Sequence, residues 1–408
     1  MGSLDKKPLQ ILISGAGIAG PALAFWLSRL GHACTVIERC SSLRAHGQQI
    51  DIRLLGLETV KRMGILDDIR ARTVCQPGVQ FVDSDGNPFA LFPPFKQGFV
   101  TDFEIMRGDL CKLLVEKTKD TTNYEFGLTV TAFENKSDCV NVTFSDDSTR
   151  SYDMVVAADG QGSKLREMLL RDEDPLFNSS RNLGVNIAYF TISRKPEDVD
   201  LATVYITSGQ RAIMTRFHSE THGQGYLYTM ARADQMALAL KQGISKQKEL
   251  FAEIFQGAGW QSGRLVNEML ESTDFHAQSS TQIQTKSWSK GRVVLIGDAG
   301  YSPTSFTGMG TTLALVGATI LAGEISQSPD DLERAIASYE NIYRPYVERA
   351  QKIPMGIPGV MHPKKDWIVK ILQFFLRIVT LLKLERVLQT YVFRKDGWEL
   401  PSYPKLKA

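Results

Sequence analysis

The sequence predicts an α/β chain of α+β character: a parallel-sheet unit, an antiparallel-sheet unit inserted into it, and a helical tail. Three observations predict it. Residues 9–40 read as strand, glycine-rich turn, helix and second strand. Two later apolar runs, Met154–Ala158 and Val293–Ile296, lead directly into an acid or a glycine-acid pair, Asp159-Gly160 and Gly297-Asp298. Between those runs, "NLGVNIAYFTI", "ATVYITS", "RAIMTRF" and "GYLYTMA" alternate as strands of a sheet with one covered face.

The first segment, "LQILISGAGIAGPALAFWLSRLGHACTVIERC", opens with a short buried strand at Ile11, Leu12 and Ile13. Gly15, Gly17 and Gly20 complete G-x-G-x-x-G, and Ala22–Leu30 reads as a helix with Pro21 tolerated in its first turn. Gly31 closes the helix, and a second strand ends at Glu38. Gly15 allows the tight turn, Gly17 lets backbone approach a pyrophosphate, and Gly20 lets helix and strand pack closely. The helix start offers unpaired N–H groups and a positive dipole end to phosphate, and Glu38 can accept ribose hydroxyls. A lone triplet would mark only a turn. The full order of strand, triplet, helix, strand and acid makes a Rossmann-like dinucleotide-binding unit.

A nicotinamide dehydrogenase would continue as alternating strands and helices, and this chain does not. A loop enters a helix from about Leu54, and "VQFVDSDGNPFALF" reads as a hairpin turning at Asp85-Gly86-Asn87. An amphipathic helix follows with Arg107 near its start, then several short strands over 123–158, and Ser163 and Arg166 on the next helix. Three strands therefore deliver a glycine loop or a carboxylate to their C-terminal edges, where such sheets bind ligands.

The set Gly15/Gly17/Gly20 with Glu38-Arg39, then Arg107, then "ADGQGSKLR", then "GRVVLIGDAGYSPTSFTGMGTTLALVGA" resembles the single-component FAD monooxygenases of the p-hydroxybenzoate hydroxylase fold. The branch it looks like is that of the tetracycline-inactivating monooxygenases and their actinobacterial and fungal relatives. The resemblance spans about residues 9–350 and matches only loosely beyond. It implies a glutathione-reductase-type FAD domain built from 1–72, 101–172 and 286–352. It also implies a substrate domain from 73–100 and 173–285, and a C-terminal helical extension over 353–408.

The resemblance further implies non-covalent FAD, NADPH or NADH as reductant and O2 as co-substrate. Asp298 is then placed on the ribityl side of FAD, and the helix starting at Gly310, Thr311 and Thr312 faces the pyrimidine end of the ring, where it would support negative charge. Arg107 is assigned to the pyrophosphate or ribityl hydroxyls. Gln49 and Asp51 go to the flavin, Arg44 to the phosphate side of the nicotinamide cofactor, and Asp159 to both cofactors. Tyr301 and Thr312 depart from the His and Asn that many members carry near the ring. Arg211 and Tyr228 align with strands that carry substrate contacts.

The activity implied is oxygen transfer from a flavin 4a-hydroperoxide to a hydrophobic, ring-bearing secondary metabolite by hydroxylation, epoxidation or Baeyer–Villiger-type insertion. A dehydrogenating or redox-neutral flavoenzyme is the alternative on the same fold. A non-catalytic binding module like the Rab GDP-dissociation inhibitors is the other, and a yellow purified protein would separate it.

Other classes are disfavoured by the residues themselves. Composition is ordinary, 43% hydrophobic and 23% charged with net charge +2, so no nucleic-acid footprint is expected. Five scattered cysteines without C-x-x-C argue against a disulfide framework or structural zinc, and for a reduced, cytoplasmic compartment. His218 and His222 lack the zincin Glu, so no metal is expected, and no G-x-S-x-G elbow occurs. Trp288 stands alone where flavin halogenases carry a Trp pair, which makes it a packing residue. In "DWIVKILQFFLRIVTLLKL" the polar residues form one stripe and the remaining face is broad and apolar. That segment either packs on the protein, the favoured reading, or makes peripheral membrane contact through 366–384.

Overall fold

Unbroken apolar runs belong in central parallel strands, buried on both faces, and four of them build the first sheet of the computed structural model. The structure describes residues 7–44, 47–74, 76–93, 103–171, 179–353, 356–384 and 397–406. The sheet runs Ser289–Lys290 (β17), Val293–Leu295 (β18), Met154–Ala157 (β11), Gln10–Ser14 (β1), Ala33–Glu38 (β2) and Thr122–Phe126 (β7). All neighbours are parallel except β17 with β18. Consequently β1, β2, β11 and β18 all end on one edge.

Helices Ala19–Arg29 (α1), Gly310–Gln327 (α10) and Leu332–Ala350 (α11) pack together behind that sheet. α10 is apolar all round and buried nearly throughout, as a core helix must be. Trp26 Nε1 donates to Thr319 Oγ1 at 2.8 Å and ties α1 to α10. Beside them Trp288, Tyr301, Tyr339 and Tyr343 form one buried aromatic cluster, so Trp288 packs as expected. Tyr301, expected near the ring site, belongs to this cluster instead. It ends the one-turn helix Asp298–Tyr301 (α9), and its hydroxyl fills the space left by the missing side chain of Gly317.

The second sheet has seven strands: His276–Ile283 (β16), Ser180–Ser193 (β12), His222–Thr229 (β15), Arg211–Phe217 (β14), Ala202–Thr207 (β13), Val79–Val82 (β4) and Pro88–Phe92 (β5). It is antiparallel except for β13 against β4, which is parallel, so the expected antiparallel sheet is in fact mixed. The predicted hairpin is present. Asp83 Oδ1 accepts from the N–H of Asp85 at 3.0 Å and of Asn87 at 2.9 Å, which fixes the turn. One face is covered by Ala233–Gln242 (α6), Ile244–Phe255 (α7) and Ser262–Glu271 (α8) through a core that includes Ile213, Leu227, Phe251 and Leu265. The other face looks onto the edge where the first sheet ends.

Smaller elements complete the frame. Gln49–Asp51 (β3) pairs with Glu104–Met106 (β6), and Val130–Asn135 (β8), Val140–Phe144 (β9) and Thr149–Tyr152 (β10) form a separate ribbon. Helices Leu55–Arg62 (α2), Leu66–Arg70 (α3), Arg107–Glu116 (α4) and Lys164–Leu170 (α5) follow their strands or loops directly. The tail is helical only in part. Asp366–Leu381 (α12) packs on β5 and β13, burying Val369 and Val379, while Trp367, Ile371, Phe374 and Leu382 stay exposed on the opposite side. Among the described residues no helix is long and apolar enough to cross a membrane. Residues 397–406 return without helix to α10, where Tyr403 lies over Gly323 and donates to Glu324 Oε1 at 2.7 Å.

A Cβ at Gly317 would lie 2.0 Å from the Tyr301 hydroxyl oxygen. Gly317→Ala is therefore expected to lower the urea midpoint by overpacking worth about 1–3 kcal/mol. In a Tyr301→Phe background the same change should cost measurably less, because the clashing oxygen is gone. Equal costs in the two backgrounds would show that the cluster does not set this packing.

Candidate functional site

Backbone contact between loops creates the site. Gly15 sits at φ +117°, and a Cβ there would lie 2.4 Å from the carbonyl oxygen of Ala158; one at Gly20 would lie 2.0 Å from that of Gly15. Only glycine lets the turn after β1 nest against the exit of β11. Arg166 then joins the exits of β11 and β18, its two terminal nitrogens donating to Gln161 O at 2.7 Å and Ala299 O at 2.9 Å. Above these loops lies a cavity of about 1700 Å³ that continues under the second sheet. Single small-molecule sites are typically about 300–1,000 Å³, so there is room for two ligands end to end.

One end is charged. Glu38 terminates β2, and its carboxylate accepts from the N–H groups of Ala16 and Cys40, both at 3.1 Å, which aims it at the start of α1. Arg39, Arg44 and Arg107 line the same end. Burial, reinforced by the charges of Arg44, Arg107 and Arg39, holds the nearby His276 imidazole below its ordinary pKa. Arg107 begins α4, its N–H bound to Gln48 O at 3.0 Å, and its guanidinium would lie 3.5 Å from a Cβ at Gly17. Gly17 thus leaves space between that cation and the helix start.

Asp298 opens on the cavity, yet protein surrounds it closely enough that burial raises its carboxyl pKa. The Ser302 hydroxyl and the charges of Arg107 and Arg166 oppose that rise. α10 begins beside it without a side-chain cap, and Gly308, Met309, Gly310 and Thr311 line the cavity there. Its first amides are therefore available to a ligand. Asp159 also borders the cavity. Its Oδ2 accepts from the N–H of Lys164 at 3.1 Å, its Oδ1 has no partner among the described residues, and burial raises its pKa.

Gln49 and Asp51 sit on β3 at the cavity wall. Asp51 pairs with Arg53 at 2.8 Å, and Gln49 Nε2 donates to Glu104 Oε2 at 3.0 Å. Thr312 does not reach the cavity. Its Oγ1 accepts from the N–H of Arg53 at 3.0 Å and donates to the Arg53 carbonyl at 3.1 Å, so it fastens the end of β3 over the start of α10. Of the implied cofactor set, all but Gly20 and Thr312 line the cavity, and those two shape it from behind.

The other end is aromatic, and here strand period decides. On β14, Ala212, Met214 and Arg216 face the cavity, while Ile213 belongs to the core under the helices. Arg211 has the parity of Ile213. Its guanidinium donates to the carbonyls of Ser208 and Ile254, both at 3.0 Å, on the helix side of the sheet, so the implied substrate contact at Arg211 is not supported. Tyr228 does face the cavity, opposite Ala212, with Tyr226 opposite Met214 and Gln224 opposite Arg216.

The cation the sequence reading missed is Arg216. It is buried and ion-paired with Glu104, which is fully buried on β6. Burial pulls the Arg216 pKa down, but Glu104, with Tyr226, Asp51 and Tyr228 behind it, outweighs that and raises it. Counting alternate residues back from Tyr228 across the hairpin would have found it. Burial drives the phenols of Tyr226 and Tyr228 well above their usual pKa and that of Tyr189 up to about 12, so all three stay protonated.

A glycine turn without side chains, two open helix starts, an acid at a strand end and three guanidinium groups fit a dinucleotide with its pyrophosphate in the charged end. The comparisons agree. Residues 8–351 match the family model described as an FAD binding domain. The FAD-dependent monooxygenase asL4 of Sarocladium schorii is 36% identical over an alignment of 427 residues covering 98% of this chain and 99% of that one. The flavin-dependent monooxygenase eupH of a Phoma species is 37% identical over 393 residues, 90% of each chain. Among solved structures, the tetracycline destructase Tet(51) superposes with a TM-score of 0.79 at 29% identity, over 97% of this chain and 100% of that one. Fold, cradle and relatives converge: the chain belongs to the class A FAD-dependent monooxygenase family.

Proposed function

We propose that this monooxygenase holds FAD non-covalently, takes electrons from NADPH or NADH, and places one oxygen atom of O2 on a hydrophobic, ring-bearing molecule of secondary metabolism. The observation that carries the proposal is the single cavity with a phosphate-binding cradle at one end and an aromatic chamber at the other. Bound FAD supplies the redox and oxygen-activating chemistry. The chain binds, orients and shields.

In this reading Glu38 takes the ribose hydroxyls, and Arg107 with the amides at the start of α1 takes the pyrophosphate. Asp298 accepts from the ribityl hydroxyls, and the uncapped start of α10 supports negative charge at the pyrimidine end of the ring. Arg39 and Arg44, at the mouth of the charged end, suit the phosphates of the nicotinamide cofactor. Gln49, Asp51 and Asp159 bound the ring and ribityl space.

At the far end Tyr189, Tyr226, Tyr228 and Met214 line an apolar chamber, with Phe375 and Val379 of α12 at its border. Such walls exclude water from the reacting atoms and suit fused or substituted rings. The relatives support this coarsely: two carry monooxygenase names from fungi, and the name Tet(51) destructase specifies a tetracycline. Hydroxylation, epoxidation and ring insertion all remain compatible with such a chamber.

Asp298→Ala removes a charge-assisted contact worth about 1.5–3 kcal/mol, so FAD affinity is expected to fall roughly ten- to hundred-fold. Arg107→Ala should act similarly. FAD fluorescence on dilution reads both, and unchanged retention would displace these residues from the cradle. Acid precipitation should release all the colour into the supernatant, whereas a yellow pellet would contradict non-covalent binding.

The reaction itself is read by NAD(P)H consumption under labelled O2 with candidate ring compounds, followed by product mass. One labelled oxygen atom in the product is expected. A ligand that never acquires label and is converted, without NAD(P)H consumption, to a product two hydrogens lighter, its electrons passing to the flavin and from there to O2, would establish the dehydrogenating alternative.

A further inference from the structure

The large apolar side chains left exposed on this protein are not scattered. Among the described residues, seven of the sixteen fall within 367–384, on α12 and just beyond it. Single exposed apolar residues are ordinary, whereas a contiguous patch marks a surface that meets something.

Helical spacing sorts them. Trp367, Ile371, Phe374 and Leu381 follow one another at four, three and seven residues, so they stand along one stripe. Phe374 is 65% and Leu381 79% exposed. Val369 and Val379 lie on the other side, buried where the helix packs on β5 and β13. At the near end Leu91 of β5, with Phe89, Arg377 and Leu381, lines a groove that carries the apolar surface on to the hairpin.

Positive charge gathers at the same place. Lys370 and Arg377, both exposed, lie seven residues apart along the edge of the stripe. With Lys364 and Lys365 before the helix and Lys383 after it, residues 364–384 hold five cations against the one acid Asp366. That excess is larger than the net +2 of the whole chain. A second copy seated here by two-fold symmetry would set these cations against themselves. A broad apolar stripe with Trp and Phe on it and Lys and Arg at its rim instead suits a bilayer, whose acyl boundary takes the rings and whose phosphates take the cations. Among the described residues no helix can cross a membrane, so such a contact lies in the plane of the surface.

We propose that α12 docks this enzyme on membranes containing anionic lipid, with Trp367, Ile371, Phe374 and Leu381 at the acyl boundary and Lys370 and Arg377 against headgroup phosphates. The face packed on β5 and β13 stays in place, so one helix serves both the fold and the contact. Phe375, Leu376 and Val379 of the same helix line the cavity. Docking therefore sets the border of the chamber beside lipid.

The test is co-flotation of the FAD-loaded full chain with phosphatidylcholine vesicles, either pure or carrying about one-third phosphatidylserine. The anionic vesicles should be bound roughly a hundred-fold more tightly, and that preference should vanish in about 1 M salt. Lys370→Gln/Arg377→Gln should bind the anionic vesicles about thirty-fold more weakly. Phe374→Glu/Leu381→Glu should keep FAD and fail to float. The single change Trp367→Ser, in the first turn, should lower binding about ten-fold. Flotation with neither vesicle, equal flotation with both, or wild-type binding by Phe374→Glu/Leu381→Glu would each overturn the proposal. So would a dimer in sedimentation that this variant dissociates, since it would assign the face to a second copy. Flotation needs neither substrate nor turnover, so its outcome is separate from that of the labelled-oxygen experiment.

Discussion

The main chain at Gly15 lies so close to the Ala158 carbonyl that a single methyl group would force the two strand exits apart. Everything at the site depends on that approach. Because β1 and β11 are parallel neighbours and end together, their exit loops share one space, and the exit of β18 joins them through Arg166. Three short loops, distant in sequence, thereby form one floor. The starts of α1 and α10 open onto it, and two helix dipoles add their positive ends to the cations of Arg39, Arg44 and Arg107. The cradle is thus a property of backbone packing first and of charged side chains second.

A polar seam fixes the second sheet over this floor. Glu104 of β6 pairs with Arg216 of β14, and Gln49 of β3 both donates to Glu104 and, through its backbone, to Gln224 Oε1. Gln224 Nε2 in turn donates to Gly47 O at 2.9 Å. Burying an ion pair gains little net stability, since desolvation offsets the attraction, whereas stripping one partner from it is costly. The seam is therefore better suited to register than to strength. It holds the aromatic chamber at one distance and angle from the cradle, and a reaction between two bound molecules requires that constancy.

Much of this architecture can be read from the chain because local signals and tertiary contacts agree there. The glycine triplet, Glu38, the two apolar strands ending in Asp159 and Asp298, and the hairpin at Asp85-Gly86 all lie where their turns and periods place them. The misplacements have a common cause. Arg211 and Arg216 stand on one strand, and only the parity set by pairing with β15 shows which faces the cavity. Tyr301 follows Asp298 by one helical turn, but the space at Gly317, set by the packing of α10, takes its ring away from the site. Thr312 lies between helix positions that meet the cavity, Thr311 and Ala314, and the helical turn directs it to the Arg53 backbone instead.

Charge divides the cavity into two solvents. At the cradle, guanidinium groups and helix starts outnumber the carboxylates, which favours phosphates and fixes which way a dinucleotide enters. Under the second sheet the Arg216 guanidinium is neutralised by Glu104, and burial keeps the tyrosines protonated. An ionised group set against those side chains would lose hydration without a free counter-charge from the Arg216–Glu104 pair. A neutral ring bearing carbonyl oxygens would lose less, because the tyrosines line the wall. One continuous cavity can in this way serve two chemically unlike ligands without a wall between them.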